Sequence, residues 1–143
     1  MPTVKQVLAV KGNKVWSIQI DKQVYDALQL MADKDIGALL VFEGEQVAGI
    51  LSERDYARKV VLKGKSAETT SVSEIMTEDV LCIDTSHSIE ECMALMTAKK
   101  IRHLPVIDEG KLVGIISIGD VVNAIISEKQ FVIEQLETYI KGY

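Results

Sequence analysis

Two Ser-x-x-Asp boxes carry the chemistry this sequence is best equipped to do. Ser52 and Asp55 lie in the string Gly-Ile-Leu-Ser-Glu-Arg-Asp at 49–55, and Ser117 and Asp120 in Gly-Ile-Ile-Ser-Ile-Gly-Asp at 114–120. At each serine an apolar run gives way to a helical pattern. The serine can therefore cap a helix, and the aspartate can close a capping box, a place more often taken by Glu. The same pair at a strand-to-helix corner can also rim a pocket, where a carboxylate accepts charge-assisted hydrogen bonds from a polar ligand.

Cations stand near both boxes. Arg54, Arg58 and Lys59 open the helical stretch after the first box and read as a solvated face or as a phosphate site. Arg102 and His103 precede the apolar run before the second box. A catalytic role for His103 needs a second catalytic group, and none lies near it in sequence. A hydrogen-bonded structural role or a phosphate contact suits it better. Trp16 reads as core or partner contact before aromatic platform. Cys82 and Cys92 lack a Cys/His constellation for zinc and are expected to be reduced core filling, as are Met31, Met76, Met93 and Met96.

The elements that must position these residues occur twice. Sliding the chain by 65 positions lays 15–63 on 80–128 without a gap, and most apolar positions fall on apolar ones. Each copy reads β-α-β-β-α. The first has a strand at 15–20, a helix at 24–32, a hairpin of 38–42 and 47–51, and a helix at 53–62. The second repeats them at 80–83, 89–98, 104–107, 112–116 and 120–127. Short helices at 3–10 and 72–76 precede the copies. The layout expected is a first motif over 1–64 with its N-terminal helix, a polar linker over 65–71, a second motif over 72–128, and a C-terminal helix over 129–143. That pattern gives an α/β or α+β class with a three-stranded sheet per repeat. Units of about 60 residues bury little surface alone, so a pseudo-two-fold pair is expected.

The chain has 143 residues and a formal net charge of −5, which argues against a general nucleic-acid or anionic-membrane binder. No apolar run approaches the roughly 20 residues of a membrane span, and the N-terminus lacks a signal-peptide core, so a cytoplasmic protein is expected.

The repeated Ile-x-x-Leu-(Leu/Pro)-Val, turn, Val-x-Gly-Ile-x-Ser-x-x-Asp pattern resembles the cystathionine-β-synthase (CBS) domain. Two in tandem are similar to a CBS pair, or Bateman module, over roughly residues 3–128. The resemblance implies a free-standing regulatory module, not an enzyme. It would bind AMP, ADP, ATP, NAD or S-adenosylmethionine as a regulatory ligand in clefts between the two motifs. It implies ribose contacts by Asp55 and Asp120 and ribose or phosphate contacts by Ser52 and Ser117. Adenine would sit among Val15, Trp16, Ser17, Gly37, Ala38 and Leu39 in one half, and Leu81, Cys82, Ile83, His103, Leu104 and Pro105 in the other. Arg102 and His103 match, in reverse order, a basic pair that contacts phosphate in adenylate-sensing relatives. Arg54, Arg58 and Lys59 could reach a polyphosphate, and their counterparts Gly119, Asn123 and Ala124 could not. A homodimer through the helices and an unidentified protein target complete the expectation. The rivals are an interaction module with vestigial clefts and a nucleotide-acting enzyme, the latter disfavoured because no nucleophile, metal triad or Gly-rich phosphate loop is present.

Overall fold

The computed structural model describes residues 2–141. Met1, Gly142 and Tyr143, the outer ends of the first and last expected segments, lie outside the described residues. The chain forms two compact units, one of Val15–Val80 and one of the described parts of Met1–Lys14 and Leu81–Tyr143. The division by sequence repeat and the division by packing therefore differ. The helix that precedes the first repeat packs in the unit of the second, and the helix at 72–75 packs in the unit of the first.

The unit of Val15–Val80 contains β1 (Ser17–Gln19), α2 (Val24–Lys34), β2 (Ala38–Glu43), β3 (Gln46–Ser52), α3 (Glu53–Tyr56), which runs on as a π-helical segment over Ala57–Val61, and α4 (Val72–Ile75). Its sheet has the order β1-β2-β3, with β1 parallel to β2 and β2 antiparallel to β3. Val24, Ala27 and Met31 recur at helical spacing on α2 and pack with Leu39, Val41 and Leu51 of the hairpin. The expected linker is tied down. The Thr70 side chain is buried and donates to the Ser66 carbonyl at 2.7 Å, while the Thr70 carbonyl accepts from the Val24 amide at 2.8 Å.

The other unit contains α1 (Val4–Lys11), α5 (Ile89–Lys99), β4 (His103–Asp108), β5 (Lys111–Ser117) and α6 (Ile118–Lys141). Its core joins Val4 and Leu8 of α1 to Ile89, Cys92 and Met96 of α5 and to Leu104, Val106 and Ile116 of the hairpin. The hairpin turns through Glu109 and Gly110, both at positive φ, the backbone state of a two-residue primed turn. The helix expected at 120–127 and the C-terminal helix expected after it are one unbroken α6 of 24 residues.

The expected strand at 80–83 is the clear correction. Only Ile83 bridges to Val106, and β4 and β5 make a two-stranded sheet. The cause is one residue. In the first repeat the Leu40 amide donates to the Trp16 carbonyl. Leu40 corresponds to Pro105, which has no amide to offer Leu81, so the parallel ladder cannot extend. What survives is the pair of bonds from the Ile83 amide to the Pro105 carbonyl and from the Ile107 amide to the Ile83 carbonyl.

Otherwise the repeats agree closely. Ala38 lies opposite Ser52 and His103 opposite Ser117, and both hairpins shift register at the equivalent place, after Val41 and after Val106. Both central helices end on a left-handed non-glycine residue, Asp35 and Lys100.

Candidate functional site

Each hairpin delivers its last residue, a serine, to the start of a helix. The Ser52 amide donates to Asp55 Oδ2 at 2.9 Å, and the Asp55 amide returns the bond to Ser52 Oγ at 3.2 Å. The Ser117 amide donates to Asp120 Oδ2 at 2.8 Å, and the Asp120 amide donates to Ser117 Oγ at 3.2 Å. Both boxes are thus capping boxes built with aspartate. A further bond closes each corner. The amide of the first helical residue, Glu53 or Ile118, donates to the carbonyl of Gly37 or Arg102 at 3.1 and 2.9 Å. The helix-start amides are largely spent inside the protein, which leaves little for a phosphate there.

The corners differ in the cation each carboxylate keeps. Lys59, one turn along the same helical segment, lies 3.1 Å from Asp55 Oδ1 and donates to the Ile75 carbonyl at 3.0 Å. Ser52 Oγ also donates to Asp55 Oδ2. Both Asp55 oxygens are therefore engaged. At the other corner Ala124 stands in place of Lys59, and the cation comes from α1 instead. Lys11 Nζ reaches Asp120 Oδ2 at 2.5 Å and the Ile115 carbonyl at 2.7 Å. Both the Ser117 amide and Lys11 fall on Oδ2. Oδ1 of Asp120 has no partner among the described residues.

Burial pushes the Asp120 carboxyl up, but the Lys11 hydrogen bond, the Ser117 amide, the Lys11 charge and the Ser117 hydroxyl together outweigh it and hold the group below the usual carboxylate range. Sequence reasoning missed Lys11, which reads there only as the polar end of a short helix. The signal available was its place on the last turn of a helix whose apolar face must pack on the Gly114 strand.

The other expected site residues scatter. His103 is half-buried and faces Ser117 in register, whereas Ala38 faces Ser52, so the first corner has a methyl where the second has an imidazole. Arg102 and Arg58 are exposed, and Arg54 is half-buried. Lys59 turns back onto Asp55 and α4, so Arg54, Arg58 and Lys59 do not act as one cluster. Leu39 and Leu104 are 0 % exposed and belong to the cores, so their side chains hold the sheets instead of lining a surface. Ala38, Ile83 and Pro105 are also buried; Val15, Gly37 and Leu81 are half-buried, and Ser17 is exposed. The Trp16 ring is half-buried, packs against the core of its unit and carries Lys34 Nζ 4.3 Å from its centroid, a cation–π contact any stacking base must displace.

Of the cysteines, Cys92 is core filling, and burial with the neighbouring Glu91 pushes its thiol up to about 11. Cys82 is exposed, contrary to expectation, as is its counterpart Ser17 at the start of β1. Among the described residues no cluster of His, Cys, Asp and Glu could hold a metal, and no helix is long and apolar enough to cross a membrane.

Comparison with known proteins bears on these corners. The CBS domain family profile matches residues 5–62 and 72–127. A solved CBS-domain protein of Burkholderia ambifaria, named for signal transduction, is 52 % identical, with a TM-score of 0.85 over 87 % of this chain and 94 % of its own. The mitochondrial CBS domain-containing protein CBSX3 of Arabidopsis thaliana is 39 % identical over 98 % of this chain and 72 % of its own length. A hexameric CBS-CP12 protein from bloom-forming cyanobacteria is 30 % identical, with a TM-score of 0.76 over 85 % of this chain and 70 % of its own.

Proposed function

The chain belongs to the CBS-domain family, as a tandem pair of regulatory domains, and from that premise we propose that it senses an adenosine-containing ligand, with the Ser117–Asp120 corner as the principal contact. The candidates are AMP, ADP, ATP, NAD and S-adenosylmethionine. The observation that carries the reading is the carboxylate oxygen left open on Asp120. Lys11 is bonded to the other oxygen of the same carboxylate, and Ser117, which opens this corner, pairs in register with His103, in the repeat where Arg102 also falls.

A ribose offers two vicinal hydroxyls, and an ionised carboxylate accepts both with charge-assisted bonds. Asp120, held below the usual carboxylate range, is ionised near neutrality, so no proton must leave when ligand arrives. Lys11 supplies positive charge for a phosphate, His103 a ring nitrogen for a hydrogen bond, and Arg102 a bidentate donor set. The Asp55 corner is read as chiefly structural, because its carboxylate is already satisfied on both oxygens. Binding is the function in this reading, with ligand shifting the populations of conformers that a protein target recognises. A homo-oligomer is part of the reading, in keeping with the hexameric cyanobacterial relative.

The test is a thermal-shift screen of the five ligands on nucleotide-stripped protein. A ligand at 100 times its Kd adds about 2.7 kcal/mol of stability. At least one should raise the melting temperature. No shift with any of them would favour an interaction module with vestigial clefts, and turnover of ATP or NAD during the incubation would favour an enzyme.

A further inference from the structure

α1 and α4 hold the same place in their own units and then part company. Both start on a capping box, Thr3 with Gln6 and Ser71 with Glu74, and each N-cap bridges to the N-cap of a central helix, Ser88 or Gln23. Leu8 lies against Gly114 as Met76 lies against Gly49. After Ile75 the helix stops, Met76 is extended, and Thr77 exchanges two backbone bonds of 2.9 Å with Ile50 of β3. After Leu8 the chain instead stays helical through Ala9, Val10 and Lys11. Ile115 of β5 is the counterpart of Ile50. Pro105, paired with it, sends its carbonyl to Ile83, so the amide and carbonyl of Ile115 both point away from β4. Lys11 Nζ takes that carbonyl at 2.7 Å, where Thr77 uses its amide in the other unit. The Ile115 amide has no acceptor among the described residues.

The extra turn is weakly held. Ala9 is exposed and Val10 is 91 % exposed, and a helix this short depends on packing for its stability. Its side-chain tie to the sheet is Lys11, on Ile115 and Asp120. Gly12 closes the turn at a φ of 94°, and Ala9, Gly12 and Val113 line an open groove of about 390 Å³. We propose that this turn is a two-state element: with Lys11 on Asp120 it is helical, and when Asp120 gives Lys11 up it unwinds, so that Ala9 pairs with Ile115 as Thr77 pairs with Ile50. The turn loses the 2.7 Å bond from the Gly12 amide to the Leu8 carbonyl, and its exposed groups turn to water. In return the Ile115 amide donates to the Ala9 carbonyl and its carbonyl accepts from the Ala9 amide. That a ligand is what frees Lys11 rests on the assignment of the ribose to Asp120; the two states of the turn do not. Occupancy of the corner then sets the path of residues 12–14, which lead from α1 to β1.

Amide hydrogen exchange of the full chain, read residue by residue by NMR, tests this. Ile50 and Ile115 both follow a glycine, so their intrinsic rates match. In the parent, Ile50 should exchange at least about tenfold more slowly than Ile115, with Gly12 protected. Lys11→Met removes the tie. Val10→Pro, at an exposed position, breaks the turn and biases Ala9 toward extended backbone. Each variant should slow Ile115 about tenfold and speed Gly12 while Ile50 keeps its rate. A ligand that raises the melting temperature should do the same to the parent. Fast Ile115 with slow Gly12 in both variants would overturn the two states, as would a parent in which Ile115 is already as slow as Ile50. A stabilising ligand that leaves both amides unchanged would overturn the ligand as trigger. Variants that switch, in a protein no adenosine ligand stabilises, would uphold the turn and sink the ligand reading of the corner.

Discussion

Two corners of one repeated unit, built on the same register, keep their carboxylates in different company. Asp55 is held by its own helix through Lys59 and by both polar groups of Ser52. Asp120 keeps the same cap from Ser117 but takes its cation from Lys11, 109 positions away in sequence, on a helix that belongs to the same compact unit only through packing. The lesson is that a duplicated motif fixes the backbone corner, while the cation beside it is chosen by whatever element each copy packs against. A carboxylate satisfied locally is part of the cap. A carboxylate satisfied from a distance can exchange its partner.

The comparison can be broken first at the glycines that let the leading helices approach. A Cβ at Gly49 would stand 2.7 Å from the Thr77 carbonyl, whose backbone exchanges two hydrogen bonds with Ile50. A Cβ at Gly114 would meet the tip of Leu8 at the same distance, a side chain that can turn aside. Gly49→Ala should therefore cost about 2–3 kcal/mol and Gly114→Ala about 1 kcal/mol, measured by urea unfolding. Equal losses would mean that α1 and α4 are held with equal rigidity.

Next in size are the caps. Ser52→Ala and Ser117→Ala should each cost about 1 kcal/mol. Ser52→Ala should cost more, since its hydroxyl also donates to Asp55 and the α-helix it starts has only four residues before the π segment.

The smallest effect concerns acid. Because the Asp120 carboxyl is depressed in the folded protein, its contribution is fully present above the unfolded value near pH 3.9 and is lost as pH falls through the folded value. Lys11→Met should cost up to about 1 kcal/mol at neutral pH. The gap between parent and variant should close toward pH 2, read from denaturant midpoints. A constant gap would place the role of Lys11 in packing alone.

Much of this architecture is written in single residues. The hairpins announce themselves through Leu104 to Ile107 and Leu112 to Ile116 around a glycine turn, and the Ser-x-x-Asp boxes through their cap chemistry. What escaped was non-local or negative. A proline that lengthens an apolar run in the sequence removes the amide that a third strand needs. A lysine at the end of a short helix acquires its partner only when that helix folds onto the other repeat's strands. Lys59 illustrates the same limit, since its place near Arg58 suggests a phosphate cluster until α4 offers it the Ile75 carbonyl. The polarity of residues 65–71 suggests a loose linker, yet Thr70 is buried because its backbone and hydroxyl are both bonded within the unit.

The most direct test is calorimetric titration of the parent, Asp120→Asn and Asp55→Asn with whichever adenosine ligand gives the largest thermal shift. Loss of a charge-assisted contact is worth about 1.5–3 kcal/mol. Asp120→Asn should thus weaken binding by roughly 10- to 100-fold, with Asp55→Asn staying within about threefold of the parent. Equal affinities for the parent and Asp120→Asn, or a larger loss from Asp55→Asn, would contradict the assignment of the ligand to the second corner.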